Sequence, residues 1–346
     1  LDNSRGSIGT GNTVDGDIRI DSSGKLTNTA GQIVSARNPA ATAQTLVGDG
    51  QVKAMQDTVI SLQGDYTQTA GNQLSANRDF TFTTTGTLTN DGTLSGGRNT
   101  HVQAGNVNNR STGLMNSNGV TLLTIDNALT NTGKIYGDDI AIGASGLDNL
   151  NGAVIAARTT VNIGAARIFN SEHALLKSDS DMAIGGALDA NNKATGSAGN
   201  VTNSSATIDS GGQLAIDSAV LLNTNAHFSS EIRPDPGKSR NWTEYLVDGN
   251  PRVYSSDEAF VDGNDPDQKI IIRSTGGRFE DYTIRSIRET TSKTMVLTSE
   301  PGQILARGDM TLTGGQVVND KSDIVAAGKL NAKVDGIDNG GTNPQG

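Results

Sequence analysis

Leu26-Thr27-Asn28-Thr29-Ala30-Gly31-Gln32-Ile33, Leu88-Thr89-Asn90-Asp91-Gly92-Thr93-Leu94 and Leu129-Thr130-Asn131-Thr132-Gly133-Lys134-Ile135 are three renderings of one phrase. It consists of an aliphatic residue, one spacer, Asn, and a second aliphatic six or seven positions after the first. The phrase returns as Leu1-Asp2-Asn3 with Ile8, Val107-Asn108-Asn109 with Leu114, Leu147-Asp148-Asn149 with Val154, and Ile168-Phe169-Asn170 with Leu175. Val201-Thr202-Asn203 with Ile208, Leu221-Leu222-Asn223 with Phe228, Val317-Val318-Asn319 with Ile324, and Ile337-Asp338-Asn339 complete the set, and Tyr66-Thr67-Gln68 carries Gln in the Asn place. A second phrase, apolar-x-apolar, precedes most copies, as in Ile18/Ile20, Phe80/Phe82, Ile140/Ile142, Leu214/Ile216 and Met310/Leu312. Alternation of that kind predicts a strand with one buried face.

Successive Asn phrases stand mostly 18 to 22 residues apart, and the 40-residue gap from Leu26 to Tyr66 predicts one degenerate unit around Leu46–Ala54. Three short strands per period of about 20 residues predict an all-β, right-handed parallel β-helix, because each coil must return one strand spacing along the axis. About 13 coils at about 4.8 Å give a rod on the order of 60 Å. Leucine-rich repeats share the period but need a denser Leu framework. The recurring Asn3, Asn28, Asn90, Asn109, Asn131, Asn149, Asn170, Asn203, Asn223, Asn319 and Asn339 are expected to form a structural amide ladder up one turn. Corner glycines are expected to supply positive φ.

The composition agrees with thin layers of aliphatics. The 346 residues include 43 Gly but only 6 Phe, 5 Tyr and 1 Trp, and 34% are hydrophobic. An ordinary globular core would draw on more large rings, and the even spread of Ile, Val and Leu argues against disorder. With no Cys there are no disulfides, thiolate metal sites or Cys nucleophiles. A formal charge of −10 without a basic cluster argues against nucleic acid as a partner, and no apolar run is long enough to span a membrane.

Two interruptions divide the chain. Residues 1–228 read as coil, with a small-residue surface loop at 186–200 (GALDANNKATGSAGN) that is expected to be flexible. Residues 229–303 read as an inserted β-hairpin excursion, and 304–346 as the resumed coil, cut in mid-turn. Ile304 stands where Phe228 otherwise would, so the insertion keeps the phase. Between Phe228 and Glu300 lie seven of the twelve aromatics, four of the seven prolines, and 23 charged residues in 73, against 41 in the other 273, so its chemistry is not that of a coil. Its aromatics either form a satellite core on the flank of the helix or are presented to a partner; in the second case Trp242, Tyr245, Tyr254, Arg240 and Arg252 are the contact residues, since aromatic and Arg side chains dominate interface hot spots.

No catalytic constellation emerges, and no cofactor is predicted. His101, His173 and His227 hold nonmatching positions and suggest surface roles, not a metal site. Asp262-Gly263-Asn264-Asp265-Pro266-Asp267 lacks the third ligand and the closing Glu of a calcium loop. Asp138-Asp139 would point to opposite faces of a strand and cannot pair as acid and base. No nucleophile elbow, phosphate loop or dinucleotide fingerprint occurs.

The Leu-Thr-Asn-x-x-Gly-x-Ile units, and above all Pro301-Gly302-Gln303-Ile304-Leu305-Ala306-Arg307-Gly308-Asp309-Met310-Thr311-Leu312 followed by Asn319-Asp320-Lys321-Ser322, resemble the haemagglutinin repeats of filamentous haemagglutinin and of contact-dependent growth inhibition toxins. The resemblance implies a long Gram-negative exoprotein, secreted through an outer-membrane two-partner transporter and displayed at the cell surface as a β-helical filament. It further implies a receptor-binding region midway and a toxin at the far C-terminus. The Asn-Pro-Asn-Leu signature of the family's secretion domain does not occur here. The expected function is a non-catalytic stalk of an adhesin or growth-inhibition toxin, with 229–303 meeting a receptor on a neighbouring or host cell. The alternatives are a β-helical polysaccharide lyase or hydrolase, or an autotransporter passenger.

Overall fold

Strand alternation and turn residues build an all-strand molecule. The computed structural model describes residues 1–10 and 16–340, and no helix occurs among the described residues. Among the described residues, the coil comprises those of Leu1–Phe228 and of 299–340; Ser229–Thr298 forms a second compact unit.

One wall of the coil is a sheet of twelve parallel strands running from Ser7–Gly9 to Asp323–Ala326. Its inward residues stack in register: Ile33 on Val52, Leu74 on Leu94, Ile135 on Ile155, Ile208 on Ile304. All eight are essentially buried. The degenerate unit supplies Thr45–Val47 and Gln51–Ala54, so the 40-residue gap holds a complete coil. A second wall collects the apolar-x-apolar and Asn phrases in a parallel sheet of seventeen strands. Phe80 and Phe82 are its largest fully buried side chains, with Tyr66 beside Phe82 at 5.5 Å between ring centroids.

Three departures from the sequence reading have physical causes. Three short strands per coil hold only for the earlier coils. From Asp139 the two phrases of the second wall fuse into single strands, Asp139–Asn149, Val161–Ser171, Leu214–Thr224 and Met310–Asp320. Small residues at the bend, such as Gly143-Ala144 on Gly164-Ala165, let neighbouring backbones pair straight through it. The second aliphatic also stands eight positions on in three units. Leu114, Val154 and Leu175 face outward, and Met115, Ile155 and Leu176 are fully buried instead. A longer turn after the Asn, with Asn151, Glu172 and His173 at positive φ in two of the three, flips the parity of everything that follows. Finally, positive φ accounts for only some of the turn glycines: Gly71 and Gly152 adopt it (77° and 73°), whereas Gly31, Gly92, Gly113 and Gly133 do not. A Cβ at Gly92 would lie 2.5 Å from the Asn72 carbonyl oxygen and 2.6 Å from that of Thr69, so the latter positions are glycine because successive coils approach too closely for a side chain.

Gly186–Asn200 is an ordered surface element: Ala187–Leu188 pairs antiparallel with Ala194–Thr195. The hairpin lies against the coil so tightly that a Cβ on Gly164 would overlap the Ala187 carbonyl. Across the insertion the coil keeps phase, with Thr207 on Gln303 and Asn223 on Asn319. Ser299 and Glu300 are already coil residues, held by Asn225, whose Nδ2 donates to Ser299 Oγ (3.0 Å) and whose Oδ1 accepts from the Glu300 amide (3.1 Å).

The second unit is wholly antiparallel. Ser229–Pro234 pairs with Ser292–Thr298, and Arg240–Val247 lies between Val253–Ser255 and Tyr282–Glu289. Ile270–Ile272 lies between Ala259–Val261 and Arg278–Phe279. Val247, Tyr254, Ala259, Ile270 and Ile272 form its own small core, with Tyr245 and Tyr282 packed against it.

Candidate functional site

In the coil, the Asn of each phrase follows a buried aliphatic by two positions, so alternation turns its amide inward as well. The side chains form a continuous file. Nδ2 of Asn90 donates to Oδ1 of Asn109 (2.8 Å), Asn109 to Asn131 (2.7 Å), Asn131 to Asn149 (2.8 Å) and Asn149 to Asn170 (2.9 Å). Asn170 continues to Asn203, Asn203 to Asn223, Asn223 to Asn319 and Asn319 to Asn339, each at 2.8 Å. Asn3 donates to Asn28 (2.8 Å), but the file breaks there. Asn28 turns to the Gln51 carbonyl, and Gln68 accepts from the buried Tyr66 hydroxyl. Most Asn also donate to a carbonyl of the facing wall, as Asn223 does to Asp323 (2.9 Å), so the file ties the two walls together. An unpaired buried amide would be costly, and nearly every donor and acceptor here is used.

A second file escaped the sequence reading. In several coils the polar residue just before the apolar-x-apolar phrase accepts the main-chain N–H of the equivalent residue one coil later. Asp17 accepts from Asn38 (3.1 Å), Asn38 from Asp57 (3.2 Å), Asp57 from Asp79 (3.1 Å), Asp181 from Gln213 (2.8 Å) and Asp309 from Lys329 (2.8 Å). Arginines of the following coil cap its acids: Arg37 on Asp17, Arg78 on Asp57, Arg98 on Asp79. The hydrogen bond from Arg37 draws the Asp17 carboxyl down to about 2, and Arg78 and Arg98 lower Asp57 and Asp79 in the same way. The dipeptides Arg37-Asn38, Arg78-Asp79 and Arg98-Asn99, each in front of a strand, were the available signal.

The three histidines part ways. His101 is half-buried on the outer face of its strand, with its pKa lowered by burial and its Nε2 unpartnered. His173 and His227, from different coils, stack with ring centroids 6.4 Å apart. Glu172 Oε2 lies 3.0 Å from His227 Nε2, and Glu300 Oε2 3.5 Å from His173 Nε2. Among the described residues no group of three or more His, Asp or Glu is arranged to hold a metal ion.

In the second unit, strand pairing sorts the five candidate contact residues by face. Arg240, Trp242 and Glu244 alternate onto one face of their strand, opposite Glu289, Ile287 and Arg285. Trp242 is 37% exposed; its Nε1 donates to Glu244 Oε1 (2.9 Å) and the Arg240 guanidinium lies 5.5 Å from its ring. Arg240 is held by Glu289 (2.7 Å). Tyr245 points to the other face and packs on the small core. Tyr254 is a correction: it is only 5% exposed, its hydroxyl accepts from Asn250 Nδ2 (2.8 Å), and it has no face to offer a partner. Burying it serves a unit with few apolar side chains. Arg252 is exposed, lies 5.0 Å from the Tyr254 ring and is paired with Glu258 (2.7 Å). At the calcium-like stretch, Arg278 approaches Asp262 (3.5 Å) and Asp265 (3.3 Å), and Lys269 bridges Asp267 and Glu280.

The haemagglutinin repeat model matches residues 1–65, 21–133, 137–181, 176–233 and 281–343, which is most of the chain and stops short of the middle of the inserted unit. The chain belongs to the haemagglutinin repeat family. Over 109 residues it is 39% identical to the tRNA nuclease CdiA-2 of Burkholderia pseudomallei strain 1026b, a stretch covering 32% of this chain and 4% of that relative. Over 104 residues it is 36% identical to the toxin CdiA of Yersinia pestis, covering 30% of this chain and 3% of that relative. This haemagglutinin-repeat chain thus matches only a small part of the length of its curated relatives. No solved structure matches it.

Proposed function

We propose that this chain is a non-catalytic stalk segment of a secreted, cell-surface filamentous exoprotein of the adhesin or growth-inhibition toxin kind. Its parent leaves the cell through an outer-membrane transporter of the two-partner type. The stalk role is geometric: a continuous coil sets a fixed distance between whatever stands before and after it, while Ser229–Thr298 contacts a partner through the Arg240–Trp242 face. The observation that carries this reading is register. Ile208 stacks on Ile304 and Asn223 on Asn319 as if the residues between them were absent, so the coil is the scaffold and the insertion an added module. The family and the two toxins matched over a small part of their length support the stalk assignment.

Excising 229–298 from the parent protein, which joins Phe228 to Ser299, tests both halves. Surface display of the filament is expected to persist while target-cell binding falls. Unchanged binding would remove the partner role from the inserted unit, and detectable glycan cleavage by the purified chain would overturn the non-catalytic reading.

A further inference from the structure

The three-stranded sheet of the inserted unit ends on an open edge. Tyr282–Glu289 pairs with Arg240–Val247 on one side only, and the main-chain groups of its other side have no partner among the described residues. Six of its eight residues are exposed. An unpaired edge is a template for another strand, and proteins usually blunt it with proline, lysine or a bulge. The ribbon of Ser229–Pro234 and Ser292–Thr298 carries all three, in Pro234, Lys293 and the register shift at Ser229/Ser230. Tyr282–Glu289 has neither proline nor lysine, its pairing with Arg240–Val247 runs without a shift, and its charges are of both signs.

The order of side chains along this edge says what would pair with it. Thr283, Arg285, Ile287 and Glu289 share one face of the strand. Two identical strands laid antiparallel about a two-fold axis at Ile287 set Ile287 on Ile287, Arg285 on Glu289 and Glu289 on Arg285. Moving the axis to Ser286 sets Arg285 on Ile287, and moving it to Arg285 sets two arginines face to face. The register at Ile287 also extends a pattern already present inside the unit. Arg240 stands opposite Glu289 and is bonded to it (2.7 Å), Trp242 stands opposite Ile287, and Glu244 opposite Arg285. Across the four central strands of the pair, each outer row would read Arg240, Glu289, Arg285, Glu244, and the middle row Trp242, Ile287, Ile287, Trp242. Charge alternates at every step of the outer rows, and Arg285, which forms no ion pair among the described residues, gains one. A foreign strand would have to match this order of charges; a second copy matches it by symmetry.

We propose that the Tyr282–Glu289 edge pairs antiparallel with the same edge of a second copy of this chain, in the register centred on Ile287, joining two three-stranded sheets into one of six. The pairing uses the edge of the sheet, so it goes beyond the contact proposed for the Arg240–Trp242 face and does not depend on it.

The test is sedimentation equilibrium of the whole chain, which should show monomer and dimer exchanging with Kd on the order of 0.1 mM, since about five residue pairs make a small interface. Arg285→Glu and Glu289→Arg each bring like charges together across the axis, and either variant alone should dimerise roughly tenfold more weakly or worse. An equimolar mixture of the two restores opposite signs at both contacts and should dimerise about as well as the parent chain, which a folding defect in either variant would prevent. Because the chain has no Cys, Ile287→Cys should crosslink to its copy under mild oxidation. Ile284→Cys, which the axis sets about 20 Å from its copy, should not. A chain that stays monomeric up to about 1 mM would overturn the proposal. So would dimerisation unaffected by either charge reversal, a mixture that fails to dimerise, or crosslinking at position 284 as readily as at 287.

Discussion

The coil and the inserted unit solve the same problem, covering apolar strands, in opposite ways. In the coil each layer is thin and identical in kind, so a row of Ile, Leu and Val is buried by the rows above and below, and polar side chains inside are matched to copies of themselves. In Ser229–Thr298 nothing repeats. Five buried residues and two partly buried tyrosines must do the work, and Ile232, Val296 and Leu297 remain more than half exposed. Repetition makes stability a sum over neighbours; a small singular unit depends on each of its few large side chains.

That contrast can be broken in several places. The largest effect is expected from Phe82→Ala, which removes one of the largest fully buried side chains of the coil and should lower unfolding free energy by about 3–5 kcal/mol in urea denaturation. Tyr254→Ala removes a comparable ring, but the loss should stay local: hydrogen exchange in 229–298 should accelerate while protection around Asn131 and Ile155 is kept. Loss of protection throughout the coil would contradict the independence of the two regions. Asn131→Ala strands the Asn109 donor and the Asn149 acceptor, and about 2–4 kcal/mol should be lost. A loss below about 0.5 kcal/mol would mean that the file is incidental to stability. Acid should act through the Asp row. Because the folded pKa values of Asp17, Asp57 and Asp79 lie below the ordinary carboxylate value, their stabilisation is present above about 4. It is lost as pH falls toward about 2 at Asp17, so melting temperature should drop across that window and recover on return. The smallest effect is expected from Trp242→Ala, a partly exposed ring whose loss should change stability by less than about 1 kcal/mol while reducing partner binding.

The legibility of the molecule follows the same division. Ile33, Leu94 and Ile135 could be placed in the core from spacing alone, because a fixed number of residues per coil returns each to the same wall. Met115, Ile155 and Leu176 could not, since one additional turn residue reverses inward and outward, and a count of aliphatics does not register it. The Asp row was legible in hindsight from a polar residue ahead of each strand, but its function depends on an amide one coil away. Among the aromatics of the insertion, nothing local distinguished Trp242 from Tyr254. Pairing with the strand Tyr282–Glu289 put one on an open face, and the opposite parity put the other against Ile270 and Ile272.

By itself, then, the sequence determined the repeat, its period, the coil it must form and the phase carried across the insertion, because in a solenoid every contact is with an equivalent residue one period away. Only the tertiary structure decided which residues of the inserted unit are core and which are surface, and how the hairpin at 186–200 lies on the coil. Those features arise from contacts between residues that share no period, and no local pattern encodes them.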